Sequence, residues 1–345
     1  MSDAYGESKA AHHPQALDLL RVGGQPMPTH VQVILSDWCP QHCSFCAYRN
    51  EGYTTNAMFG VQDDRGRNNN PHRMIPYDKV IEVLDDCAAM GVKAIQFTGG
   101  GEPTAHPQHR HVFRETMARE IDWSLVTNGA LLTPETDELL IKAAWVRISL
   151  DAGCEETYGA VRGVPPSHFF KVLGNAKRLA KAIEDARTDT VLGVGFVVTP
   201  DNWMEVVDAT RLARAAGAHN IRISAEFHQD GAAHFASFAE AAEELCREAE
   251  KFAGRDFKVF NRFHERLKDL NAPPDASFCG YQHFTTYIGG DQNVYRCCNT
   301  SYNERGLLGS IKDQRFIDLW VSQAKLDMMA KFDARKCELC QFRGI

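Results

Sequence analysis

The chain has 345 residues, enough for one large domain or for a large domain with a small companion. Its 44% hydrophobic and 24% charged residues are ordinary for a globular protein, and no apolar run reaches the roughly 18 residues of a transmembrane helix, so a helical membrane span is excluded. The formal net charge of −7 argues against a nucleic-acid partner held through its phosphates.

In chain order, residues 1–30 read as an N-terminal arm with one short helix at Pro14–Arg21. The arm has no basic region followed by an apolar core, so it is no secretion signal and a cytoplasmic location is expected. Eleven cysteines in such a chain point to metal or redox chemistry rather than to disulfides. VQVILSD (31–37) is apolar, β-branched and strand-like. A helix follows at 77–90, a strand at 93–99, a helix at 107–120 and a strand at 122–128. The helix at 133–144 opens on Thr133 as N-cap with Pro134 behind it. Next come a strand at 145–151, a helix at 167–185, a strand at 190–199, a helix at 203–216 and a strand at 220–227.

Six strands alternating with helices imply parallel pairing with right-handed crossovers, as in an open doubly wound sheet or a partial barrel. The expected fold class is α/β, a partial (β/α)6 barrel with a small C-terminal hairpin-plus-helix cluster-binding domain. In such sheets ligands bind at the carboxyl ends of the strands. Two stretches break the alternation. Residues 50–75 form a long polar loop, and 228–275 hold a long helix (236–255), a short strand (257–260) and Pro273-Pro274. The domains are expected at 1–30, 31–270 and 271–345. The last opens on a hairpin, TTYIGGDQNVYRCC, followed by an amphipathic helix at 313–332 and Cys337-Glu-Leu-Cys340.

Cys39-Pro-Gln-His-Cys43-Ser-Phe-Cys46 has the spacing C-x3-C-x2-C. Three thiolates on a short loop suit an iron–sulfur cluster with one open iron, or a zinc ion with His42 as fourth ligand. The spacing, with the aromatic Phe45 before the last cysteine, resembles the radical S-adenosylmethionine (SAM) superfamily. The resemblance implies a 4Fe–4S cluster on Cys39, Cys43 and Cys46, with SAM chelated to the fourth iron. Reductive cleavage of SAM would give a 5′-deoxyadenosyl radical that takes hydrogen from a substrate.

Further features of that family recur in order over about 31–227. Gly99-Gly100-Gly101-Glu102 resembles its GGE motif, where backbone amides and the Glu102 region would grip the methionyl ammonium. A glycine run alone also makes a tight strand–helix turn. Asn128 and Ser149-Leu150-Asp151 resemble the third and fourth strand ends that meet SAM, although Asp151 alone also reads as a helix cap.

Cys279, Cys297, Cys337 and Cys340 make a second thiolate set with a hairpin between the first two. It resembles the twitch domain, a short SPASM-type domain, which implies a second, auxiliary 4Fe–4S cluster with full ligation and an electron-transfer role. Four cysteines with one CxxC also suit structural zinc. Cys298 has three readings: an alternative ligand, a hydrogen-atom donor, or a small buried residue. Cys154 is a further donor candidate, and Cys87 and Cys246 read as core.

Arg162, placed in a loop after the fourth strand, suits a carboxylate or phosphate. Arg222, Glu226 and His228 on the sixth strand, and Tyr53, Arg65, Arg67 and His72 in the long loop, are substrate-side candidates against a default of solvated surface. The expected activity is oxidation of a small polar molecule such as a sugar, aminocyclitol or nucleoside-like compound, with the auxiliary cluster as electron acceptor. The alternatives are peptide modification by cross-linking or epimerisation, and a non-catalytic zinc scaffold. A flavodoxin or ferredoxin would supply the reducing electron.

Overall fold

The computed structural model describes residues 13–48, 73–228, 230–270, 272–337 and 340. Helix α1 (Pro14–Arg21) precedes β1 (His30–Val33). Then α2 (Tyr77–Ala89), β2 (Ala94–Phe97), α3 (His109–Ala118), β3 (Asp122–Thr127), α4 (Pro134–Leu140) and β4 (Trp145–Ser149) alternate as expected. Two helices follow, α5 (Glu155–Arg162) and α6 (His168–Ala186), before β5 (Val191–Val198), α7 (Val206–Ala215) and β6 (Asn220–Ala225). The chain continues through α8 (Ala239–Glu250), β7 (Lys258–Asn261) and α9 (Phe263–Asp269).

β1 to β6 pair in parallel in chain order, which makes the fold α/β with an open, mostly parallel sheet. The side-chain period of two sorts each strand. Val146, Ile148, Ile221 and Ile223 join the apolar core against the helices. Their alternates Arg147, Ser149, Arg222 and Ser224 line the cavity on the other face.

The structure departs from the sequence expectation in five places. The segment at 257–260 is no exception to the alternation: β7 pairs with β6 as a seventh parallel strand. Arg162 is not in a loop; it closes α5 and is buried. The hairpin forms as β8 (Thr285–Ile288) and β9 (Asn293–Tyr295), but β8 pairs in parallel with β1 and so extends the same sheet. A strand not foreseen, β10 (Leu307–Ser310), pairs with β9, and the order runs β10-β9-β8-β1-β2-β3-β4-β5-β6-β7. The final amphipathic helix is two helices, α10 (Phe316–Val321) and α11 (Gln323–Ala330). They break at Ser322, whose extended backbone lets its hydroxyl cap α11 by accepting from Lys325 N–H.

Among the described residues no helix is long and apolar enough to cross a membrane. Tyr53, Arg65, Arg67 and His72, and most of the long polar loop, lie outside the described residues.

Candidate active site

At the carboxyl ends of β1 to β6 lies a cavity of about 420 Å³. Cys39, Cys43 and Cys46 line one side of it together with Phe45. Their loop is pinned to the end of α5, because His42 N–H donates to Arg162 O and Ser44 N–H to Val161 O, both at 2.9 Å. Gly163 permits this approach: it is left-handed at φ 61°, and a Cβ there would come within 2.7 Å of His42 O. Asn128 Nδ2 lies 3.5 Å from the Cys39 sulfur and Arg162 Nη1 3.3 Å from the Cys43 sulfur. Such N–H donors are suited to hydrogen-bond the sulfurs of a metal-bound cysteine. His42, the fourth ligand of the zinc alternative, is exposed and does not line the cavity.

Gly99, Gly100, Gly101 and Glu102 also line the cavity. Gly101 lies against the chain after β1: a Cβ there would sit 2.4 Å from both Asp37 C and Trp38 O. Only glycine allows that approach. The Glu102 carboxylate accepts from Thr104 N–H and hydroxyl, Thr127 hydroxyl and Asn128 N–H at 3.1, 2.6, 2.7 and 2.8 Å. Burial raises its pKa, and these four bonds oppose the rise. The carboxylate therefore ties the β2 loop to the end of β3, leaving the loop backbone to face a ligand.

Ser149 lines the cavity, whereas Asp151 does not. Asp151 is left-handed at φ 57°, accepts from Val197 N–H at 2.6 Å and forms a buried ion pair with Arg162. Its oxygens are thus spent on holding the arginine, which does line the cavity. Burial disfavours the Arg162 charge, but Asp151 and Cys43 outweigh it and hold the guanidinium protonated. Phe45 lies under that guanidinium, 5.6 Å from its carbon.

The far wall carries Arg147, Arg222, Arg266 and Glu226. Sequence reasoning named Arg222, Glu226 and His228; the structure adds Arg147, Arg266 and His234. His234 Nε2 lies 3.1 Å from Glu226 Oε2, and His228 stacks on His234 with ring centroids 3.8 Å apart. Burial, then the nearby Asp201, pushes the Glu226 carboxyl up to about 7. These three residues could hold a metal ion by proximity. His228 Nδ1 accepts from Asp230 N–H at 3.2 Å, which engages one of its two ring nitrogens. Period-two alternation along β6 was the available signal for this wall.

The second cysteine set comes together in the C-terminal segment. Cys279 lies within electrostatic reach of Cys297, and Cys337 within reach of Cys297, Cys340 and Cys279. The neighbours Cys297 and Cys298 diverge, and it is Cys298, with Asn299, that borders the cavity. Burial, then Cys297, pushes the Cys279 thiol up to about 11, so a bound metal is what would make this set thiolate. Two buried cations lie beside it. Arg296 is 5% exposed and Lys325 0%, and neither has a carboxylate within ion-pair distance among the described residues. Lys325 Nζ has no hydrogen-bond partner and sits 3.6 Å from the Trp320 ring centroid. Burial, with Arg296 adding, lowers Lys325 to about 7. Uncompensated buried cations call for an anion, and a metal–tetrathiolate centre is one. Both cysteine sets therefore suit the groups expected of them. Cys154 instead points its sulfur at Glu205 Oε1, 3.2 Å away, and does not line the cavity.

The family model described as Radical SAM superfamily matches residues 33–213. The chain is 30% identical over 159 residues to a tungsten-containing aldehyde ferredoxin oxidoreductase cofactor-modifying protein of Pyrococcus furiosus, covering 43% of this chain and 42% of that protein. It is 32% identical over 143 residues to an AdoMet-dependent heme synthase of Methanosarcina barkeri, covering 41% and 39%. It is 27% identical over 141 residues to the mycofactocin maturase MftC of Mycobacterium tuberculosis, covering 40% and 34%. The matched regions thus span about two fifths of these relatives. Among solved structures, the fold is similar to Streptococcus suis SuiB bound to precursor peptide SuiA, with TM-score 0.64 and 13% identity, over 99% of this chain and 78% of that one. It is also similar to anSMEcpe with bound AdoMet, with TM-score 0.59 and 17% identity, over 88% and 83%.

Proposed function

From the premise that the chain belongs to the radical SAM superfamily, we propose that it oxidises its substrate by hydrogen-atom abstraction and passes the second electron to an auxiliary cluster. The observation that carries this reading is the divergence of Cys297 and Cys298. The first faces the second cysteine set, and the next residue borders the cavity that the first cysteine set lines.

Cys39, Cys43 and Cys46 would hold a 4Fe–4S cluster, and Cys279, Cys297, Cys337 and Cys340 a second. When bound, the first cluster and SAM supply the 5′-deoxyadenosyl radical that removes one hydrogen atom from the substrate. Phe45, the Gly99–Gly101 backbone, Asn128, Ser149 and Arg162 bind and orient SAM, with Glu102 and Asp151 positioning the loop and the arginine. Glu226, backed by His234, takes a proton from the substrate. The remaining electron would pass to the group that Cys279, Cys297, Cys337 and Cys340 would hold, so hydrogen atom, proton and electron would all be accounted for. The reductant for the first cluster is a one-electron donor such as a flavodoxin or ferredoxin.

A peptide side chain is the substrate we favour, because two fold neighbours, SuiB with precursor peptide SuiA and anSMEcpe with the Cp18Cys peptide, are described with bound peptides. A small polar molecule is the second reading, favoured by Arg147, Arg222, Arg266 and Glu226 on the cavity wall. Anaerobic reconstitution tests the core claim, with about eight irons per chain and SAM cleavage on reduction as the expected result. A chain binding only zinc sinks it. Incubation with short peptides encoded beside the gene then separates the substrates: loss of two hydrogens from a peptide supports the first reading. Deuterium incorporation without mass loss, abolished by Cys298→Ala, would mean epimerisation with Cys298 as hydrogen donor.

A further inference from the structure

Arg296 follows β9 and precedes Cys297. Its guanidinium is buried and held in place: Nη2 donates to Met328 O at 2.7 Å, Nη1 to Gln282 Oε1, and the Phe332 ring centroid lies 4.3 Å from its carbon. No carboxylate pairs with it among the described residues, yet Cys279, Cys297 and Cys337 all act on its charge. Lys325, on α11, is fully buried and within electrostatic reach of Arg296. A guanidinium and an amine so placed are costly to bury in charged form unless an anion lies near them. None of the steps proposed above uses either residue.

We propose that Arg296 and Lys325 are the built-in countercharge of the second metal–thiolate site and bias it toward accepting an electron. The inference rests on the two-cluster reading and deepens it. Each electron added to a thiolate-ligated cluster adds negative charge, and a fixed positive charge in a low-dielectric interior stabilises that reduced form. The first site is arranged differently. There Arg162 approaches Cys43, but its charge is offset by Asp151. Arg296, by contrast, is held by Gln282 and the Met328 carbonyl and has no carboxylate partner among the described residues.

The test is an anaerobic potentiometric titration of the reconstituted full chain, followed by electron paramagnetic resonance. The parent is compared with Arg296→Met, Lys325→Met and the charge-keeping Arg296→Lys and Lys325→Arg. Both methionine variants are expected to retain their iron and to shift the auxiliary midpoint to more negative potential, leaving the SAM-site midpoint in place. The charge-keeping variants are expected to stay near the parent. An unmoved auxiliary midpoint in either methionine variant overturns the proposal, as does an equal shift of both clusters. A parent with about four irons and one zinc is a different result, which sinks the two-cluster reading itself before any variant is compared.

Discussion

Glu226 shows how one side chain can be both structurally costly and chemically apt. Burial and Asp201 raise its carboxyl from 4.5 to about 7, so the folded chain keeps a proton that the unfolded chain has already released. Folding therefore binds a proton between those two values, and stability falls as pH rises through them. Across the window the loss is at most about 3 kcal/mol. Glu226→Gln keeps the shape and removes the titration. Its denaturation midpoint, measured anaerobically, should rise progressively relative to the parent as pH goes from about 4.5 to about 7 and level off above. Parallel pH profiles for the two proteins would show that Glu226 has an ordinary carboxyl. The identity of this residue was legible from its place at the end of a predicted strand. Its partner His234 was not, because it comes from a short helical turn after β6 that carries no apolar periodicity.

Among the elements, the strands and most helices were legible because their period of two or 3.6 is written in apolar residues. Helix α5 was not, since EETYGAVR offers only a narrow apolar stripe. Its ends did signal it, with Glu155 and Glu156 in the first turn and the left-handed Gly163 after Arg162. Missing it put Arg162 in a loop rather than against Cys43. The partner of β8 was equally hidden, because a short strand does not say which sheet it joins. That pairing has a consequence for the site. Tyr287 on β8 donates to Gly99 O at 2.7 Å, and Tyr302 donates to Asp37 Oδ1 at 2.6 Å while accepting from Gly290 N–H at 3.1 Å. The hairpin thus clamps both the glycine loop and the chain leading to Cys39. Tyr302→Phe removes one clamp and leaves buried Asp37 with Arg73 as its remaining ion-pair partner, a local cost of about 1–3 kcal/mol. Hydrogen exchange by mass spectrometry should accelerate over 36–39 and 289–292 and stay unchanged over β4 to β6. Uniform acceleration would instead mean global destabilisation.

At the scale of the whole molecule, the sequence suggests a boundary near residue 270, yet the sheet runs across it. His30–Val33 of β1 pairs with Thr285–Ile288 of β8 along its whole length, on the side away from β2. Removing 271–345 would turn a central parallel strand into an exposed edge of unpaired N–H and C=O groups. It would also bare the buried Ile34 and remove Tyr287 from the glycine loop. A chain ending at residue 270 is therefore expected to aggregate, or to stay in solution without loading iron on Cys39, Cys43 and Cys46. Size-exclusion chromatography and iron content after reconstitution decide it. A monodisperse truncated chain holding about four irons would mean that the barrel completes its own cluster site, and that the C-terminal strands serve only the second. The ladder between β1 and β8 argues the other way. Backbone hydrogen bonds join β1, which leads to the first cysteine set, through β8 to β9, which leads to Cys297. In the two-cluster reading proposed above, electron transfer between the sites would depend on this tie.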